Sequence, residues 1–455
     1  MKDFKLIWLL ALPVTILTGC TADDIVSDTD PTPNELDVAL EEALVSASNG
    51  EGMAYYKFPT QLADIPQDPN NPLTAAKVEL GKLLYHETGM GVHPKYEEGR
   101  FTYSCASCHH AQGGFQACVP QGISDGGIGF GLNGEGRYPN PNYPIAELDV
   151  QPIRTPSILN IAYQPNILWN GQFGATHLNE GTESQWHENS PKVWNHLGFE
   201  GTEIQAIAGM DVHRLDMTPS LFNSSDYKDL YHAAFGEIGD DTLMSKVYTG
   251  LAMAAYERTV LANEAPFQKW LNGDKNALSE KEKRGAVVFF TKGECYKCHN
   301  GPALSSMEFY ALGMENIDES EGGVYLTNFA PIDNVGLGRG NFTENPEDNY
   351  KFKVPQLYNL VQSKFYGHGA TFRSVESVIE YKNEAQPENP DVPVTQLAEE
   401  FHPLNLTNAE IEDLAAFIEY GLYDRNLERY VPTSLPSGFC FPNNDYRSAQ
   451  QFGCQ

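Results

Sequence analysis

Positive charge is scarce in this chain of 455 residues: 30 lysines and arginines stand against 61 aspartates and glutamates, a formal net charge of −31. A surface of that sign repels nucleic-acid phosphates and anionic lipid headgroups, so neither is expected as a partner. Long apolar runs are missing too. The longest, Leu6 to Leu17, is too short to cross a bilayer as an ordinary helix. No strand–helix–strand alternation is evident of the kind that frames a thioredoxin-like redox site. At 41% hydrophobic and 20% charged residues, the rest suits a folded globular protein, and the length allows two or three domains.

Lys2 and Lys5 precede the apolar run, and Leu17-Thr18-Gly19-Cys20 follows it. That is the order of an export signal. Its ending resembles a bacterial lipobox, in which the cysteine is acylated and becomes the mature N-terminus. Thr21, in place of an aspartate, then implies the outer membrane. Residues 1–20 are therefore read as a lipoprotein signal peptide with lipidated Cys20, giving a lipid anchor in the periplasm or cell envelope. Residues 21–50, rich in Asp, Glu, Ser, Thr and Pro, are read as a flexible acidic tether.

Of the eight cysteines, four fall into two copies of one pattern: Cys105-Ala106-Ser107-Cys108-His109 and Cys295-Tyr296-Lys297-Cys298-His299. C-x-x-C-H is the attachment motif of c-type haem. Two thiols add to the two vinyl groups, and the next imidazole then lies beneath the iron. Zinc is the competing reading, but zinc takes four ligands, commonly from pairs close in sequence, and these pairs are far apart. Two covalently bound haem c groups are expected, with His109 and His299 as iron ligands. Cys440 and Cys454 are expected to pair and close a short loop; Cys118 is read as a buried thiol.

The fold class is mainly α: two cytochrome c-like haem domains with long irregular loops. Helical spacing is read over 72–87 and 241–262, and residues 111–152, dense in Gly, Pro and Asn, form an irregular wrap. Capping boxes at Ser279-Glu280-Lys281-Glu282 and Thr407-Asn408-Ala409-Glu410 start two further helices. The expected division is an N-terminal haem domain over 51–275, a C-terminal one over 276–435, and a tail over 436–455.

Leu80-Gly81-Lys82-Leu83-Leu84, the two haem motifs, Arg154-Thr155-Pro156-Ser157-Ile158-Leu159-Asn160, Phe352-Lys353-Val354-Pro355-Gln356-Leu357 and Phe365-Tyr366-Gly367-His368-Gly369 together resemble bacterial dihaem cytochrome c peroxidases and MauG. The resemblance spans about residues 60–430. It implies a peroxidatic N-terminal haem and an electron-transferring C-terminal haem. The family's peroxidases carry an Ile-Gly-His-Gly segment whose histidine caps the peroxidatic iron until reduction. Here Ile128-Gly129-Phe130-Gly131 stands in its place, and phenylalanine cannot bind iron, so this haem is expected to be open, as in MauG-like members.

By the same resemblance Trp169, in Trp169-Asn170-Gly171-Gln172, is the electron-relay candidate between the haems, and Gln205 takes the place of a distal glutamine. The acid/base carboxylate falls on Asp216 if one extra residue is allowed. His213 competes for the role, since either group can move a proton between peroxide oxygens. The sixth ligand of the C-terminal haem falls on Lys382 by count, with Tyr381 beside it; no methionine follows Met314. His368 is matched to a haem-contacting position. The family's calcium ion has an asparagine whose position is Arg154 here, and threonine and proline positions that are Ser363 and Phe365. That leaves either a carbonyl-based calcium site or an arginine standing in for the ion's charge.

The expected function is reduction of hydrogen peroxide with electrons from a small redox protein, a cytochrome c or a cupredoxin. The alternative is a MauG-like oxidase that uses peroxide to modify a partner protein or small molecule. Intact-mass spectrometry should find porphyrin bound at both cysteine pairs, and Cys298→Ser should alter only the second.

Overall fold

The computed structural model describes residues 34–224, 226–318, 323–325 and 335–454. The signal peptide with Cys20 and the tether as far as residue 33 lie outside the described residues. The α-helices are α1 Glu35–Ala47, α2 Ala75–His86, α3 Gly201–Val212, α4 Pro219–Ser224, α5 Tyr227–Phe235, α6 Asp240–Leu243, α7 Lys246–Thr259, α8 Pro266–Leu271, α9 Glu280–Phe289, α10 Arg339–Thr343, α11 Val375–Glu384, α12 Asn408–Ala416 and α13 Tyr446–Phe452. Sheet among the described residues is limited to two antiparallel pairs. β1 Gly127–Ile128 lies against β2 Tyr138–Pro139, and β3 Phe309–Tyr310 against β4 Phe352–Lys353. No described helix is long and apolar enough to cross a membrane.

Side chains that satisfy free amides set the helix starts. Thr74 accepts from the Lys77 amide at 3.2 Å to begin α2. Ser279 and Glu282 form the capping box of α9, and Thr407 and Glu410 that of α12. The helix expected over 241–262 is broken in two, because Ser245 turns its side chain onto the Tyr248 amide and caps α7 afresh.

Two helix crossings repeat the same contact. On α2, a Cβ at Gly81 would sit 1.9 Å from the Ala252 carbonyl of α7 and 2.9 Å from Tyr256 Cβ. On α9, a Cβ at Gly285 would sit 1.9 Å from the Asp413 carbonyl of α12 and 2.9 Å from Phe417 Cβ. Only glycine allows backbones this close. The repeat extends to the loops. Asn160 and Asn359 both adopt left-handed backbone, and their amides donate to the Val260 and Leu422 carbonyls just beyond α7 and α12. Each half thus has a helix pair, a Cys-Cys-His turn and a loop pinned by asparagine.

Two expectations are corrected. Residues 35–47 are not tether: Leu40, Ala43 and Leu44 recur at helical spacing and are buried, and Asp37 accepts from Trp270 Nε1 at 2.7 Å and pairs with Lys283 at 2.8 Å. The acidic composition hid this apolar stripe. Nor do 51–275 and 276–435 separate as bodies, since residues 35–455 pack as one compact unit. α1 packs on α9 of the second half, while the tail returns to the first. There Cys440, bonded to Cys454, accepts from Thr88 at its carbonyl, and Pro442 accepts from Ser104 and Ser107.

Gly81→Ala and Gly285→Ala should each lower stability by about 3 kcal/mol through overpacking. Thermal unfolding monitored by circular dichroism checks this.

Candidate active site

The first Cys-Cys-His turn is braced from outside. Tyr85 donates its hydroxyl to the His109 carbonyl at 2.8 Å, and the Ser107 hydroxyl accepts from the Ser104 amide at 3.0 Å. Cys105 and Cys108 are unpaired, and burial pushes both thiols up. Burial, then the nearby charge of His213, pushes His109 down to about 4, so its imidazole is neutral.

His213 closes the C-terminal end of α3. Its Nδ1 donates to Asp149 Oδ2 at 3.0 Å, leaving Nε2 to give or take a proton. Asp149 is fully buried. Burial alone would raise its carboxyl, but His213, Arg214 and a hydrogen bond from Ser124 outweigh it and hold the group below the usual range. Arg214 bonds Asp125 at 2.8 Å and lies 3.6 Å from Asp149. Asp125 is itself bonded by Tyr143 and by the Lys95 amide. Gln205, about two turns earlier on α3, reaches over Gly209, where a Cβ would lie 3.4 Å from its amide nitrogen. Its Oε1 is buried without a partner.

Asp216 is not part of this cluster. Its carboxylate faces His93 at 3.5 Å near the surface, and its amide donates to the Met90 carbonyl. Asp125 and Asp149 were missed because they sit in the Gly/Pro/Asn-rich wrap, where no periodicity marks an inward-facing acid. Phe130 is 1% exposed and held between His110, with ring centres 4.9 Å apart, and Phe452 of α13 at 5.0 Å. Gln451 accepts from the Phe130 and Gly131 amides, and Asp445 from Gly129.

At the second turn, Cys295 and Cys298 are also unpaired. His299 donates Nδ1–H to the Leu304 carbonyl at 3.0 Å, so its Nε2 is free to bind a metal. Burial, and next the Lys382 charge, pushes it down to about 4. Lys382 lies within electrostatic reach of Cys295, Cys298 and His299, and desolvation lowers its ammonium. Tyr381 faces elsewhere, packing with Phe372 and Phe401 and donating its hydroxyl to the Leu312 carbonyl at 2.5 Å. Adjacent residues on a helix face different ways, which is why a count could not choose between them.

Between the halves, Trp169 donates Nε1–H to the Arg154 carbonyl at 2.8 Å, and its own carbonyl accepts from the Lys353 amide at 2.8 Å. Its ring stands edge-on to His368 with centres 6.3 Å apart. His368 stacks on Phe352 at 3.6 Å, bonds Asn316 at 3.1 Å, and is pushed down to about 3 by burial. The Arg154 guanidinium is held by Gln116, Ala117, Val119 and Ser363 oxygens. These positions do not fit a calcium ion alongside it, because the guanidinium already occupies the space the oxygens enclose.

Two turns that each present a pair of unpaired thiols and a neutral imidazole suit c-type haem in donor type and spacing. The class is therefore a mainly helical oxidoreductase with two such sites. Residues 75–276 match the family model for di-haem cytochrome c peroxidase. A cytochrome-c peroxidase, IdrP1, of Pseudomonas sp. (strain SCT) is 29% identical over 378 residues, 79% of this chain and 84% of that protein. The methylamine utilization protein MauG of Methylorubrum extorquens is 26% identical over 360 residues, 78% of this chain and 80% of that one. The crystal structure of a MauG-like protein associated with microbial copper homeostasis shares the fold, with a TM-score of 0.54 at 21% identity, covering 82% of this chain and 96% of that chain. The chain is therefore similar to di-haem cytochrome c peroxidases and to MauG.

Glu257 of α7, within electrostatic reach of Cys105, had no sequence signal. Its Oε2 is buried without a partner, and burial, then the Glu203 charge, raises it from 4.5 to about 8. The fold therefore binds this proton more tightly than the unfolded chain does, and stability is lost as pH rises between those values. Glu257→Gln should flatten that loss, melting higher than the wild type at about pH 8 and little differently at about pH 4.

Proposed function

We propose that this chain is a dihaem peroxidase of the cell envelope, anchored through lipidated Cys20, that reduces hydrogen peroxide to two waters with two electrons from a small redox protein and two protons. Cys105, Cys108 and His109 would hold the peroxidatic haem, and Cys295, Cys298 and His299 the electron-transfer haem, with Lys382 rather than Tyr381 the further residue placed to hold it. When bound, the haems supply peroxide coordination and electron storage. The observation that carries this reading is the His213–Asp149 pair within electrostatic reach of His109.

His213 Nε2 would accept a proton from peroxide and return it to the oxygen that leaves as water, while the haem, when bound, would supply the electrons for O–O cleavage. Asp149 fixes the tautomer that makes this possible and stabilises the imidazolium. Arg214, itself held by Asp125, keeps Asp149 charged. Gln205 offers its amide to the bound oxidant. Trp169 lies on the route between the halves, its indole oriented by the Arg154 carbonyl. The acidic surface steers a basic donor, a cytochrome c or a cupredoxin, toward the protein.

A MauG-like oxidase acting on a protein or small molecule is the second reading. Phe130 favours it: packed under the tail, it leaves no imidazole to block the first site. Steady-state oxidation of reduced cytochrome c by peroxide separates the two. Turnover supports the peroxidase; peroxide consumption only with an added oxidisable substrate supports the oxidase; activity in neither assay overturns both.

His213→Gln should lower peroxide turnover by about 10²–10⁴-fold. Asp149→Asn should lower it less, and Asp216→Asn should leave it unchanged. Loss of turnover in Asp216→Asn with His213→Gln active would reassign the acid/base.

A further inference from the structure

We propose that Arg154 is a resident cation, its guanidinium filling an oxygen cradle between the two halves so that this chain holds its inter-haem junction without a metal ion. The inference rests on the presence of two haems and not on peroxide chemistry.

The cradle is unusual in its partners. Arg154 is 2% exposed. Its Nη2 donates to Gln116 Oε1 at 2.9 Å, the Ala117 carbonyl at 3.3 Å and Ser363 Oγ at 2.7 Å, and its Nη1 to the Val119 carbonyl at 3.2 Å. All four oxygens are neutral, and no carboxylate among the described residues pairs with it. Three come from the wrap after the first Cys-Cys-His turn and one from the second half. A buried charge without a counter-charge is costly unless dipoles replace its water. Converging oxygens do that for a guanidinium as they do for a hard cation.

The same residue holds the junction through its backbone. The Arg154 amide donates to the His368 carbonyl at 2.9 Å, and its carbonyl accepts from Trp169 Nε1. The residue whose side chain fills the cradle is thus also bonded, through its main chain, to His368 and Trp169 between the halves.

The internal repeat provides a contrast. Lys353-Val354-Pro355 occupies in the second half the place of Arg154-Thr155-Pro156 in the first. Lys353 is also buried and bonded only to neutral oxygens, those of Gln164 and Asn166. Burial pushes its ammonium down to about 7, so it can shed its charge near neutral pH. Burial brings Arg154 only to about 10, and its charge persists. Arginine at 154 gives a permanent charge with a planar fork that reaches several oxygens at once.

The test uses the haem-loaded protein after dialysis against EDTA. The wild type should retain and rebind less than about 0.1 calcium per chain by atomic mass spectrometry, and calcium should not alter electron transfer between the haems measured by stopped flow. Arg154→Asn vacates the cradle and adds an amide oxygen. It should bind about one calcium per chain, with inter-haem transfer slowed at least about tenfold without calcium and restored by it. Arg154→Lys, keeping a cation, should bind none. A wild type that binds one calcium per chain overturns the proposal whether or not the variants fold. So does a folded Arg154→Asn with both haems that neither binds calcium nor differs from wild type.

Discussion

The Ala252 and Asp413 carbonyls leave no room for a side chain at Gly81 and Gly285, and these two close crossings, one in each half, set the helix frame. In the second half α9 ends at Phe289, just before Cys295, whereas α2 ends at His86, well ahead of Cys105; in each half the crossed helix leads on to a carbonyl that anchors the asparagine loop. With so little sheet, no ladder carries the loops. Helix contact sets the frame, and the chemistry hangs from its ends.

What fills the remaining gap is the small stock of cations. Arg137, Arg154, Arg258, Arg339, Lys283 and Lys353 are all buried in a chain that has few basic residues to begin with. Arg258 and Lys283 meet carboxylates. Arg137, which also meets the Asp445 carboxylate, and Arg154 and Arg339 collect carbonyl oxygens from irregular segments. Arg137 bonds those of Ile123, Ser124 and Gly129, and Arg339 those of Asn170, Gly171 and Leu178. Buried carbonyls outside helices need donors, and a guanidinium with five N–H groups satisfies several at once. The acidic exterior and the internal use of arginine are therefore two sides of one arrangement.

The tail holds the segment around Phe130 in place. Gln451 and Asp445 take up the amides of Gly129, Phe130 and Gly131, Phe452 packs on Phe130, and a disulfide closes the tail on itself. The segment is held by partners from the far end of the chain, beside a histidine–aspartate pair drawn from two other segments.

Local chemistry was legible without coordinates. The two Cys-x-x-Cys-His turns, the capping boxes of α9 and α12 and the largely helical character are written in neighbouring residues, because thiol spacing, caps and helical period act over a few positions. Helix α1 was hidden by acids on its exposed face, and the halves interlock through α1 and the tail in ways no boundary in composition reveals. That Lys382 lies within electrostatic reach of His299 while Tyr381 bonds Leu312, that His213 pairs with Asp149 while Asp216 faces His93, and which acids of the wrap turn inward are visible only in the fold. Each depends on side-chain direction and on partners more than sixty residues away, such as Asp149 for His213 and Leu312 for Tyr381. The sequence by itself determined which groups could do the chemistry. Tertiary packing selected among neighbours, because adjacent residues share a composition but not a direction.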